Sequence, residues 1–202
     1  TKHPVARTLL RSSITIFRTL CVQQSLLCWW RELKQSAMKV LKFGGTSVAN
    51  AEAIERVINI TGQRLESESV AIVVSALGGI TDSLIRASQR ASAGGDDYLQ
   101  LLEPVRTRHT EAVAALVPEA AQARVQADVQ LMLGELTDIL RGVYLVRECS
   151  PRTLDAIQSF GERLSSRIIA EAFQGRNVPA ELVDSRLLIA TDRNFGKAAV
   201  DF

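Results

Sequence analysis

The sequence predicts an α/β protein built as α/β/α layers around a mostly parallel sheet. Three observations carry this. Short apolar runs at Lys39 to Phe43, Val70 to Val74 and Ala180 to Val183 alternate with much longer stretches of helical period, the β-α-β order of a layered fold. The run from Val70 to Val74 is continuously apolar and largely β-branched, as a strand covered on both faces requires. Glycine pairs follow the first two runs, at Gly44-Gly45 and Gly78-Gly79, where a strand must turn sharply into a helix.

Each element follows from its residues. The strand Lys39 to Phe43 reads as buried and leads into a helix beginning near Asn50, a good N-cap, with Glu52 in the first turn and Ile54, Val57, Ile58 and Leu65 at helical spacing. After Val70 to Val74, the residues Ser75 to Thr81 form an exit loop, and Leu84 and Ile85 lie on a second helix that fades at Ala93-Gly94-Gly95-Asp96. Residues 98–149 read as helical. Pro104 and Pro118 punctuate them, so the spacing predicts a hairpin of two helices, with Leu131, Leu136, Ile139, Leu140 and Val143 on the apolar stripe of the longer one. Ser150-Pro151 is a strong helix start, Leu154, Ile157 and Phe160 are expected to face inward, and Gly161 permits a close approach beside Glu162. Pro179 precedes the third strand.

With 202 residues and 47% apolar side chains the chain can bury a substantial core, and no run is long enough to span a membrane. The net charge of +2 is unevenly spread: residues 1–37 hold six Lys or Arg and one acid, which leaves 18 basic and 21 acidic side chains in the rest. That mild acidity speaks against a nucleic-acid surface. Cys21, Cys28 and Cys149 form no CxxC pair, and His3 and His109 suggest no metal cluster, so a reducing, cytoplasmic setting fits and no protein metal site is expected.

The chemistry is concentrated at the turns. In MKVLKFGGTSVAN, Met38 to Asn50, a lysine and two glycines stand where a strand meets a helix. Backbone N–H groups at such a turn approach an anion closely, and the helix N-terminus adds partial positive charge. There is no GxxxxGK[ST] loop and no GxGxxG fingerprint. SALGGIT, Ser75 to Thr81, occupies a second strand exit; SFGERLSS, Ser159 to Ser166, and TDRNFGKAAVDF, Thr191 to Phe202, complete the set. Taken singly, each is an ordinary turn or helix segment; their shared order carries the inference.

In that order the four segments resemble aspartate kinases, and the beginning of the match looks most similar to the bifunctional forms that join an aspartokinase to a homoserine dehydrogenase. The resemblance runs from Met38 to the C-terminus. It implies the amino-acid kinase fold, which binds ATP without a Walker loop, and transfer of the γ-phosphoryl group of Mg2+-ATP to the side-chain carboxylate of L-aspartate, giving 4-phospho-L-aspartate. Such a transfer depends on positioning and charge neutralisation. The resemblance gives Lys42 the catalytic, phosphoryl-neutralising role, with Gly44, Gly45, Thr46 and Ser47 donating to ATP phosphates. It gives Glu162 the substrate ammonium, and Ser75 and Thr81 a substrate carboxylate, with Gly78 and Gly79 allowing close approach. Lys197 and Asp201 fall in the last matched segment, where relatives commonly carry arginine in place of Lys197; lysine lacks the bidentate geometry of arginine.

Two domains are expected: residues 1–37, a poorly structured leader or upstream translated segment, and 38–202, the N-terminal part of the kinase catalytic domain. Truncated at its C-terminus, the chain is expected to carry the aspartate side and the phosphate turn without a complete ATP site. The intact parent is expected to be a homo-oligomer. The alternatives are another enzyme of the same fold, such as a glutamate kinase, and a non-catalytic amino-acid-binding fragment.

Overall fold

The computed structural model describes the backbone of Thr15–Arg18 and residues 38–201. Four strands form one sheet: β1 (Thr15–Arg18), β2 (Lys39–Phe43), β3 (Val70–Val74) and β4 (Glu181–Asp184), in the spatial order β2-β3-β1-β4. β2 and β3 are parallel, whereas β1 pairs antiparallel with both β3 and β4. Three of the four strands therefore run one way, as expected of the layered fold, although β1 makes two of the three pairings antiparallel. Within the stretch 1–37 these four residues are a sheet strand; the rest of that stretch, with Trp29, Trp30, Cys21, Cys28 and His3, lies outside the described residues.

The helices are α1 (Ala51–Leu65), α2 (Ile80–Ser92), α3 (Glu103–Leu116), α4 (Glu119–Val146) and α5 (Pro151–Gly175). The Asn50 side chain accepts the Ala53 N–H at 2.9 Å, and the Ser150 hydroxyl accepts the Thr153 N–H at 3.2 Å. Both caps satisfy N–H groups that a helix start leaves open. Ile54, Val57 and Ile58 of α1 and Leu84 of α2 are buried, and α3 and α4 form the expected hairpin about Val117-Pro118. The core runs from Ile72 of β3 through α2 to Ile157, Leu164, Ile168 and Phe173 of α5. Among the described residues no helix is long and apolar enough to cross a membrane.

Three local expectations are corrected. β2 is an edge strand, so Val40 is 65% exposed instead of buried. On α4 the inward stripe is Val125, Val129, Leu133, Leu136, Leu140 and Val143, and Leu131 is 69% exposed because it lies between the i, i+3/i+4 steps of that stripe. At the start of α5, Leu154 is only half-buried and its neighbour Asp155 takes the buried position.

Polar links tie α4 to α5. Arg167 donates to Asp128 (2.8 Å) and to Glu171 (2.9 Å), and Arg124 donates to the other Glu171 oxygen at 2.7 Å. On α3, His109 is 0% exposed; its Nδ1 lies 2.6 Å from the Val105 carbonyl oxygen, while Nε2 has no hydrogen-bond partner. Contact with a carbonyl assigns the proton to Nδ1. Burial, assisted by the nearby Arg108 charge and only partly opposed by the Val105 carbonyl, lowers the His109 pKa to about 4.

The unfolded chain thus takes up this proton at higher pH than the folded one, so stability falls as pH drops from 6.5 toward 4. The full shift corresponds to about 3 kcal/mol. Urea denaturation at a series of pH values should show this loss, and His109→Leu should flatten it across that window. An unchanged slope in the variant would assign the acid sensitivity to other groups.

Candidate functional site

The site begins with strand pairing. The parallel register sets Phe43 beside Val74, and the Ser75 N–H donates to the Phe43 carbonyl at 3.1 Å. Both glycine-bearing loops therefore leave the sheet at the same edge, at the carboxyl ends of adjacent parallel strands, where ligands collect in α/β folds. A pocket of about 450 Å³ lies between them, lined by Gly45, Thr46, Ala49, Ser75, Ala76, Leu77, Gly78, Gly79, Thr81 and Glu162. Seven of the residues singled out from the sequence thus converge: Gly45, Thr46, Ser75, Gly78, Gly79, Thr81 and Glu162.

The loop after β3 owes its shape to close packing. Gly79 stands at φ 76°, in the left-handed region, and caps α2, whose first turn opens at the pocket. The Ser165 hydroxyl of α5 donates to the Ser75 carbonyl at 2.8 Å, and Arg108 of α3 donates to the Gly78 carbonyl. Gly161 removes the side chain that would otherwise hold α5 away: a Cβ there would lie 2.7 Å from the Ala76 Cβ. Two helices, α3 and α5, thus hold the five-residue loop between β3 and α2.

Glu162 is the anionic wall of the pocket. Burial raises its pKa above the ordinary glutamate value, and hydrogen bonds from its own backbone N–H and that of Ala76 act against the rise. A carboxylate poorly hydrated in this way gains more from a bound cation than an exposed one does. On the opposite side Gly44 and Ser47 form a tight turn, Ser47 N–H to Gly44 carbonyl at 2.9 Å, ahead of the α1 N-terminus. A Cβ at Gly44 would meet nothing within 4 Å, so the turn is open to a ligand. Lys42 is exposed on β2 just before it.

Lys42, Gly44, Ser47, Lys197 and Asp201 do not line the pocket. The last two belong to a small hairpin in which Thr191 bridges Val200, Asp192 N–H bonds the Ala199 carbonyl at 3.1 Å, and Asp201 N–H bonds the Ala190 carbonyl at 3.0 Å. Its Gly196 N–H donates to the buried Asp155 carboxylate of α5 at 2.9 Å. Sequence reasoning missed Arg108, Ser165 and Asp155. Ser165 stands inside SFGERLSS, one helical turn beyond Glu162, and Asp155 two turns before it; that spacing was the available signal. Arg108 gave no local signal.

Residues 37–198 match the amino acid kinase family, and the chain belongs to that family. Within it, the chain is similar to aspartokinases. Aspartokinase 1, chloroplastic, of Arabidopsis thaliana is 33% identical over 150 residues, which cover 72% of this chain and 25% of the relative. The bifunctional aspartokinase/homoserine dehydrogenase 1, chloroplastic, of Zea mays is 26% identical over 159 residues, 79% of this chain and 17% of the relative. The crystal structure of E. coli aspartokinase III in complex with aspartate and ADP superposes with a TM-score of 0.70 at 28% identity, covering 80% of this chain and 34% of that one. The chain thus spans about a third or less of the length of these relatives.

Gly161→Ala should displace the loop after β3, because the added methyl cannot fit against Ala76 without movement. A destabilisation of about 1–3 kcal/mol is expected, with amide shift changes concentrated at residues 75–81. Thermal denaturation and an amide correlation spectrum would check this; shifts spread evenly through the chain would argue against a local clash.

Proposed function

We propose that this chain forms the aspartate-binding side and the phosphate turn of an aspartate kinase, which transfers the γ-phosphoryl group of ATP to the side-chain carboxylate of L-aspartate. The observation that carries the reading is the joining of Glu162, Ser75 and Thr81 around one pocket, with Gly45 and Thr46 of the phosphate turn on its other wall. An amino-acid substrate presents one ammonium and two carboxylates, so it needs an anion and several donors in one small space. Glu162 supplies the anion for the ammonium. The hydroxyls of Ser75 and Thr81 and the first-turn N–H groups of α2 supply donors for a carboxylate.

At the phosphate turn, the backbone N–H groups around Gly44 and Gly45, the hydroxyls of Thr46 and Ser47 and the N-terminus of α1 favour negative charge. Lys42 adds a full charge where the transferring phosphoryl carries its own. When bound, ATP supplies that phosphoryl group. No cluster of three or more His, Cys, Asp or Glu side chains suited to a metal occurs among the described residues. Mg2+ would be held through the nucleotide's phosphates. A cytoplasmic setting and a homo-oligomeric parent belong to the same reading.

L-Aspartate titrated into the 202-residue chain should perturb the amides of Ser75, Gly78 and Thr81. No response there would remove the reading, and a response to L-glutamate alone would replace aspartate with glutamate as the substrate. Glu162→Gln should weaken aspartate binding about tenfold to a hundredfold. Because the Glu162 pKa is raised, wild-type binding should begin to fail at a higher pH than an ordinary glutamate would give, and the variant should lose that dependence. In the full-length gene product, Lys42→Ala should lower ATP-dependent aspartyl hydroxamate formation about a hundredfold or more; near-normal turnover would take the phosphoryl role away from this lysine.

A further inference from the structure

Asp155 and Glu162 stand seven residues apart on α5. Two helical turns separate them, so both carboxylates project from nearly the same face, about 10 Å apart along the axis. Glu162 faces the pocket. Asp155 is 2% exposed and accepts the Gly196 N–H at 2.9 Å. We propose that Asp155 is a positioning residue, which pins the 191–201 hairpin at Gly196 and so fixes the root of Lys197, the next residue, from which its side chain would reach a substrate carboxylate. The inference rests on reading the pocket as an L-aspartate site.

The hairpin is bonded largely to itself. Asp192 Oδ1 accepts the N–H groups of Asn194 (3.0 Å) and Ala199 (3.2 Å), and Lys197 N–H bonds the Asn194 carbonyl at 2.9 Å. Such a unit moves as one piece, so where it attaches to α5 decides where its side chains point. It meets α5 through the Asp155 bond and through the Arg152 guanidinium, which lies 5.9 Å from the centre of the Phe195 ring. A carboxylate taken out of water is costly unless hydrogen-bonded, and a bond from a backbone N–H to a charged acceptor is among the strong ones. Because the donor is main chain, the bond fixes the path of the hairpin itself. Lys197 is the next residue, it is exposed, and its long flexible stem needs a fixed root to act at a defined place.

The test measures L-aspartate binding to the 202-residue chain by calorimetry, together with hydrogen exchange at the Gly196 amide. Asp155→Ala should raise the Kd about tenfold and speed Gly196 exchange by a similar factor. Asp155→Asn keeps an oxygen acceptor and should restore most of both. Lys197→Ala should raise the Kd comparably, and the Asp155→Ala/Lys197→Ala double variant should bind no worse than the weaker single variant, since both changes remove one interaction. Should Asp155→Ala fail to fold, the same cycle on Asp155→Asn should give a smaller loss with the same non-additivity. If the wild type binds aspartate and the Asp155 variants bind as tightly, or if the losses add fully, the inference fails while the reading of the pocket stands. If the wild type binds no aspartate, both fall together.

Discussion

The in-register parallel pairing of β2 and β3 is the constraint on which the rest depends. Setting Phe43 against Val74 brings the ends of both strands to one edge, and the Ser75 N–H bonded to the Phe43 carbonyl continues the ladder into the loops. A shift of one residue would turn every side chain of β2 to the other face. It would also separate the two glycine turns that now face each other across the pocket. The site is therefore a property of the ladder before it is a property of any side chain.

α5 is the second frame. It places Gly161, Glu162 and Ser165 within five residues: one admits the loop after β3, one faces the pocket and one bonds the Ser75 carbonyl. These functions agree because a buried helix is rigid and its spacing is set by backbone hydrogen bonds. Burial has an electrostatic consequence as well. It raises the Glu162 pKa and leaves His109 without a partner for Nε2, whereas the Arg167, Glu171 and Asp128 groups offset burial by pairing across α4 and α5. The molecule places poorly hydrated charge at the pocket and compensated charge at the helix interface.

Much of this was legible in the residues. β3 and the two capped helix starts at Asn50 and Ser150 depend on local chemistry, since an apolar β-branched run and an N-cap act over a few residues, and the structure reproduces them. The seven pocket residues were drawn from the motifs, and the structure sets them around one pocket. Where the reading went astray, the deciding contact was distant. Val40 is exposed because β2 sits at the sheet edge, and Leu131 faces outward because the phase of the α4 stripe is set by the elements that α4 packs against. Nothing near Arg108 in the chain signals that it will meet Gly78, thirty residues earlier.

The sequence by itself determined the alternation of strand and helix, the sharp glycine turns after β2 and β3, and the chemical types gathered at those turns, because these rest on backbone propensity and side-chain identity. Only the tertiary structure decided that β1 enters the sheet antiparallel between β3 and β4, that Asp155 is buried against Gly196, and that Lys42, Lys197 and Asp201 stand outside the pocket that Glu162 lines. Those outcomes depend on which surfaces meet. That is settled by packing many residues at once, and no short stretch of chain contains it.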